Sequence, residues 1–270
     1  QVVGVFFYAR GLWLEFTSRE HAARRHELGL DRLDYPWPSV SVVVPVHNEE
    51  KALAGTLDNL FAQDYPGASF EVIAALNGCI DGSRAVAEQY PALVIEDAKS
   101  GMSFGKNLGA EPASGDMLVF VDADTRLPAD GLRLLAEAAA GNKQYMGTVA
   151  GKPDRGGGVV RVCFFIANCL TRRRKAHAPG GVMLMDRLTF ARTGGFDESL
   201  PQGTSTDMIW RGLKVGATYL FVDTFKAETS IRRFEKTGIV SQMLSWRKNH
   251  RHLKNHQRDK VAGREYDNIR

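Results

Sequence analysis

Apolar residues in this chain gather in short unbroken runs, separated by stretches with a helical period. Residues 39–46 are rich in Val, with Pro45 near the end, and read as the first core strand. Residues 51–62 follow with Leu53, Leu57, Leu60 and Phe61 on one helical face. A second strand is expected at 70–76, and a short helix at 84–89 for which Asp81 and Ser83 are natural N-caps. A third strand is expected at 93–96, a helix at 101–110, and a fourth strand at 117–121, Met117 to Val121. Strand and helix thus alternate four times in roughly 85 residues, which predicts an α/β unit around a mostly parallel central sheet. Beyond Asp130 the pattern loosens. A helix is predicted at 131–140, a mobile glycine-rich loop at 147–158, and a helix at 159–176 that ends in Arg172, Arg173, Arg174 and Lys175. A short strand is predicted at 182–185, a glycine-capped helix end near Gly194, a helix starting at Ser205-Thr206-Asp207, and a strand at 219–222. The last stretch, 239–260, is helical in pattern and strongly basic.

The chain divides at the prolines of 34–38 into an N-terminal appendage with linker (1–38), a main domain (39–250) and a basic tail (251–270). The aromatic residues of 1–16 suit a membrane-proximal or interfacial segment, or an amphipathic helix packed on the domain itself. With 270 residues and 44% hydrophobic positions, there is ample material for one large core. The net charge of +4 is mild, and no zinc-finger or RNP-like pattern accompanies it, so nucleic acid is not an expected partner. Three cysteines without a C-x-x-C argue against a disulfide framework and for a reducing compartment. No apolar run is long enough to span a bilayer. A cytoplasmic location is expected, with the cytoplasmic face of a membrane as the alternative, because the aromatic N-terminus and basic C-terminus suit a membrane surface or a lipid-linked acceptor.

The chemistry concentrates where the strands end. Asp122 and Asp124 follow the fourth strand, and alternation points both to one side with Ala123 turned away. Two adjacent carboxylates either open a turn or hold a cation between them; hard oxygen ligands favour Mg²⁺ or Mn²⁺, which in turn can hold a diphosphate. Ligands of parallel sheets sit at the carboxyl ends of strands. His47-Asn48, Asn77-Gly78 and Asp122-Ala123-Asp124 all fall there. No G-x-G-x-x-G follows the first strand, which disfavours a dehydrogenase.

Taken together these residues resemble the family-2 inverting glycosyltransferases of GT-A fold, over roughly residues 39–250. The run ending in Pro45-Val46-His47-Asn48-Glu49-Glu50 is similar to their first-strand signature, and Asn77 to Ser83 to their D-G-S-T-D-G-T turn. Gly105 to Ala110 with Ser114-Gly115-Asp116 leads into the D-x-D; Gly194 to Glu198 reads G-G-F-D-E; Thr206-Asp207 falls at the E-D base motif; and Gln242 to Trp246 resembles Q-x-x-R-W. Four positions depart from the pattern: Asn77 replaces an Asp, Met102 a basic residue, Thr206 an acid and Ser245 an Arg. The resemblance implies a GT-A domain with a donor half (39–130) and an acceptor half (131–250). It implies a nucleotide-sugar donor, UDP- or GDP-linked, and a glycan or lipid-linked acceptor. Asp124 would hold Mg²⁺ or Mn²⁺ and Asp122 the ribose or metal. Pro45, Asn48, Glu49 and Asn77 would line the nucleotide, and Lys106 or Lys99 would serve the phosphates. Asp207 would be the general base, with Gly180, Gly181, Thr206, Gln242 and Trp246 on the acceptor side. The other classes kept open are a nucleotidyltransferase on a similar core and an inactive nucleotide-sugar-binding module.

Overall fold

In the computed structural model, residues 26–29, 37–65, 70–175, 180–200 and 202–238 are described; Gln242, Trp246 and the basic stretch around them lie outside these residues, as does most of the N-terminal appendage. The described chain forms an eight-stranded sheet in the order β3-β2-β1-β4-β7-β6-β8-β5. Its first half is the expected parallel unit. β1 (Val40–Val46) pairs in parallel with β2 (Phe70–Asn77) on one side and β4 (Met117–Val121) on the other, and β2 pairs with β3 (Leu93–Asp97). Connecting helices are α1 (Glu50–Phe61), α2 (Ser83–Ala87) and α3 (Met102–Ala110).

Alternation along the strands builds two cores, one on each face. Val42, Val44, Val72, Ala74, Val119 and Val121 meet Leu53, Leu57 and Leu60 of α1 on one face, together with Leu132 and Leu135 of α4 (Gly131–Ala139). Val43, Ile73, Leu118 and Phe120 face the other way. That second core is closed by α3, by α6 (Arg187–Thr193) and by Met208 and Ile209 of α7 (Thr204–Lys214). Strands buried on both faces leave no polar side free, which is why their sequences are largely apolar, Ser41, Glu71 and Asn77 being the exceptions in β1 and β2.

The second half departs from expectation in one place. The glycine-rich stretch predicted as a loop is mostly strand, β6 (Tyr145–Pro153). Gly147 is required there because a Cβ would overlap the Leu220 carbonyl oxygen of the neighbouring strand. β7 (Val182–Asp186) is antiparallel to β4 and to β6, and β6 is parallel to β8 (Thr218–Thr229). β8 therefore ends at the same rim as β1, β2 and β4. β5 (Thr125–Arg126) pairs with that end, Thr125 opposite Thr229. Two further helices complete the described chain, α5 (Gly158–Arg174) and α8 (Arg232–Thr237).

Candidate functional site

The rim where the parallel strands end is held as one piece by hydrogen bonds between its loops. Asn48, in a left-handed conformation (φ 55°), accepts at Oδ1 from Ile80 N at 2.8 Å. Glu49 N donates to Ser83 Oγ at 2.9 Å, and Glu50 N donates to Asp81 Oδ2 at 3.1 Å. Asn77 locks the centre: its Nδ2 donates to Val46 O at 2.8 Å, and its Oδ1 accepts from Gly101 N at 3.2 Å. Gly105 lies against it, and a Cβ there would stand 2.9 Å from Asn77 Cγ and 3.3 Å from Pro45 Cβ. Pro45, Asn48, Glu49 and Asn77 are thus brought together as the sequence implies. Asn77, however, is buried with both atoms of its amide hydrogen-bonded within the protein.

Ala123 is buried in the core, while Asp122 and Asp124 stay half-exposed on either side of it. Thr56 of α1 fixes the turn by donating to Ala123 O at 2.7 Å. Asp122 N donates to Gly181 O at 2.9 Å, and Gly181 (φ +64°) lies against the Asp122 carboxylate. Gly180 is buried beside Val149 O and Gly151, a close approach that also excludes a side chain.

The residue missed in the sequence is Arg232. Its Nη2 donates to Glu49 Oε2 at 2.6 Å and to Asp124 Oδ2 at 3.0 Å. These partners are 183 and 108 residues away in the chain, so only the topology reveals them. The one local signal was a pair of arginines, 232 and 233, a short way beyond a strand. Two carboxylate oxygens reach the same nitrogen, so a small cation at that point would find two hard ligands. Among the described residues no three His, Cys, Asp or Glu side chains gather to hold a metal. Two carboxylates suit Mg²⁺ or Mn²⁺, which take water and phosphate oxygens for the rest. The residues present therefore fit such an ion.

The expected phosphate lysines lie elsewhere. Lys99 pairs with Glu198 at 2.5 Å, a contact that, with a hydrogen bond from Asn107, holds the Glu198 carboxyl below its usual range. Lys106 is 3% exposed and donates to Ser205 Oγ at 2.9 Å. Asn107 braces the G-G-F-D-E turn, accepting from Phe196 N at 2.8 Å and donating to Phe196 O at 2.9 Å. Phe196 itself fills the second core against Phe120.

Asp207, the expected base, lies in the second half of the fold. It is 0% exposed, in the first turn of α7, and its Oδ2 accepts from Arg211 Nε at 2.7 Å. Arg211 also donates through Nη1 to Thr193 O (2.6 Å) and Gly195 O (2.8 Å). Through Arg211, Asp207 is linked to the turn after α6. The spacing Asp207-x-x-x-Arg211 carried this signal in the sequence, since residues four apart meet on a helix. Thr204 and Ser205, also buried, precede it.

Glycosyl transferase family 2 matches residues 41–187, more than half of the chain, from within β1 to the start of α6. The chain belongs to glycosyl transferase family 2. Among family relatives, the Haloferax volcanii glycosyltransferase AglE is 36% identical over 32% of this chain and 31% of its own length. The undecaprenyl-phosphate 4-deoxy-4-formamido-L-arabinose transferase of Aeromonas hydrophila is 33% identical over 41% of this chain and 36% of its own. The match thus spans about a third of each relative's length. The fold is that of GT-A glycosyltransferases. The Pyrobaculum calidifontis mannosyltransferase PcManGT, solved with GDP-Man and Mn²⁺, superposes with a TM-score of 0.60 at 21% identity, over 82% of this chain and 69% of that one. S. aureus TarS with UDP gives 0.59 at 17% identity, over 72% of this chain and 60% of that one.

Proposed function

We propose that this family-2 chain transfers a sugar from a nucleoside-diphosphate donor to an acceptor oxygen at the strand rim, by one inverting, metal-assisted displacement. The observation that carries the reading is the meeting of Glu49 and Asp124 on a single cationic group at the rim that gathers Pro45, Asn48, Asn77 and Asp122. Pro45, Asn48 and Asn77 line the nucleotide, and Asp122 takes the ribose or the metal. Asp124 with Glu49 would hold Mg²⁺ or Mn²⁺, which when bound would supply positive charge to stabilise the departing diphosphate. Arg232 neutralises the same carboxylates before the donor arrives and is placed to meet phosphate charge afterwards. PcManGT, with GDP-Man and Mn²⁺, and TarS, with UDP, favour a UDP- or GDP-sugar here. Gly181 packs against Asp122, and Gly180, Gly181, Thr206, Gln242 and Trp246 are assigned to the acceptor side by the family pattern.

A membrane-surface location is part of the proposal. Along α5, Val159, Val162, Phe165, Ile166 and Leu170 are exposed, with Phe165 at 64%, and Arg172, Arg173 and Arg174 follow on the same helix. An apolar stripe ending in a basic cluster is the pattern of a helix lying in an anionic lipid interface. No helix of the described residues is long and apolar enough to cross a membrane. The relative named for undecaprenyl phosphate favours a lipid-linked acceptor.

Incubating the protein with UDP-, GDP- and dTDP-sugars, with and without chelator, tests the reading. Metal-dependent release of nucleoside diphosphate is expected. Pyrophosphate release would mean nucleotidyl transfer, and no product from any donor would mean a binding module.

A further inference from the structure

Arg232 reaches Glu49 and Asp124 only because the chain after β8 is held in one place, and much of what holds it is remote in sequence from both carboxylates. Residues 229–235 run between two supports. On one side Ser230 N donates to Asp124 O at 3.3 Å, and Thr229 pairs with Thr125. On the other stand the end of β6, the turn after it and the start of α5. Asp154 N donates to Thr229 O at 2.9 Å, and Asp154 Oδ1 accepts from Ile231 N at 3.1 Å. Arg155 grips α8 with two bonds, donating through Nε to Glu235 Oε1 at 3.0 Å and through Nη2 to Glu235 Oε2 at 2.7 Å.

Ile231, the residue directly before Arg232, is the anchor. Its side chain is 4% exposed and packs with Phe164 (3% exposed) and Val160 in a small apolar cluster apart from the two cores of the sheet. The turn closes tightly over it: a Cβ on Gly156 (φ +105°) would stand 3.2 Å from Ile231 Cδ1 and 3.3 Å from Val160 Cβ. An ion pair as exposed as Arg155–Glu235 contributes little by itself, so the buried Ile231 side chain is the larger restraint.

We propose that Phe164 and Val160 of α5, with Arg155 of the preceding turn, are positioning residues for Arg232: they keep its guanidinium on Glu49 and Asp124 and thereby weaken the binding of a lone divalent ion. This rests on the metal-assisted reading above. The ion pairs themselves are made by Arg232, so the three residues act on the carboxylates only through it. The apolar seat of Ile231 sets how easily the guanidinium gives way to an ion.

The test is an EPR titration of Mn²⁺ without nucleotide on the full chain, in the parent, Phe164→Ala, Arg232→Gln and the double variant. Phe164 lies outside both sheet cores, so Phe164→Ala is expected to keep the fold, checked by circular dichroism and melting. Losing both exposed ion pairs outright is worth at most about 30-fold in affinity, and a loosened strap loses part of that, so Phe164→Ala should tighten Mn²⁺ by about 3- to 10-fold. In the Arg232→Gln background the same change should do nothing, since its whole effect runs through the guanidinium. Phe164→Leu, which returns apolar volume to the seat, should match the parent within about 2-fold. Should Phe164→Ala fail to fold, Arg155→Gln at the surface takes its place, with a smaller tightening and the same dependence on Arg232. Parental affinity in the loosened variant overturns the inference. So does a tightening that persists once Arg232 is gone, because that pattern is a general loosening of the site. If none of the proteins binds Mn²⁺ with or without a UDP- or GDP-sugar, it is the metal-assisted reading that fails, and the inference falls with it.

Discussion

Exchanging either partner of the Asp207–Arg211 pair separates a strut from a base by two different measurements. Arg211→Met leaves the Asp207 carboxylate inside the second core with no cation, and it removes the bonds to Thr193 O and Gly195 O. Breaking a buried pair in this way costs about 3–5 kcal/mol. The lower half of that range is expected here, because Arg211 is partly exposed and its Nη2 already lacks a partner. Asp207→Asn keeps the shape and loses one charge-assisted bond, roughly 1.5–3 kcal/mol. For a domain of this size each kcal/mol lowers Tm by roughly 2–4 °C, so Arg211→Met should fall by roughly 6–16 °C and Asp207→Asn by roughly 3–12 °C. A base behaves in the opposite way: its loss leaves Tm nearly unchanged and slows turnover by about 10²–10⁴. Calorimetric melting, combined with kcat per folded molecule, reads both quantities. An Asp207→Asn protein with parental Tm and turnover down 100-fold would refute the strut.

Other outcomes follow from the rim and the surface. Arg232 is 44% exposed, so each of its two ion pairs is worth at most about 1 kcal/mol; Arg232→Gln should tighten Mn²⁺ binding without donor by about 3- to 30-fold in an EPR titration, and unchanged or weaker binding counts against the exchange. In Gly181→Ala the new Cβ stands 2.5 Å from Thr125 Oγ1 and 3.0 Å from Asp122 Oδ2, so donor affinity should drop at least about tenfold beyond the backbone strain of ~1–2 kcal/mol. Gly194→Ala has a similar φ (+71°) and nothing within 4 Å, and equal donor affinity in the two variants would refute the crowding of Asp122. Replacing Phe165 and Ile166 by Ser should abolish co-sedimentation with phosphatidylglycerol vesicles, and a parental protein that ignores such vesicles would remove the membrane reading. Burial tends to raise the Glu71 carboxyl, but hydrogen bonds from Ser114 and Ser41 outweigh it and hold the group below the ordinary 4.5. Its stabilisation is therefore complete above that value and lost as pH falls through the lowered one. Glu71→Gln should flatten the decline of the urea midpoint between about pH 5 and pH 3. Equal slopes in the two proteins would contradict this.

The parallel half was legible because strands covered on both faces must be largely apolar, and β1, β2 and β4 leave no other reading of Val42–Val44, Ile73 or Val119. β6 was not legible: Gly147 and Gly151 look like loop residues until the neighbouring strand's backbone is seen pressing on Gly147. The loops with Asn48, Asn77 and Asp124 were placed by one rule, that ligands gather at strand ends. Arg232 escaped because its partners lie 183 and 108 residues away in the chain. The role of Asp207 was not legible for a local reason. An aspartate in a first helical turn looks the same whether it caps, braces or takes a proton, and only burial distinguishes these.

Arg232 gives the resting protein a resident counter-ion of its own. In the proposed reaction, loading a divalent ion at Glu49 and Asp124 would be a substitution of one positive charge for another, its strength the difference between them. An ion that arrives alone gains little from that trade. One that arrives with a diphosphate brings extra anionic oxygens, for itself and for the displaced guanidinium. The site should therefore stay selective for the ion and the sugar nucleotide together over either one alone.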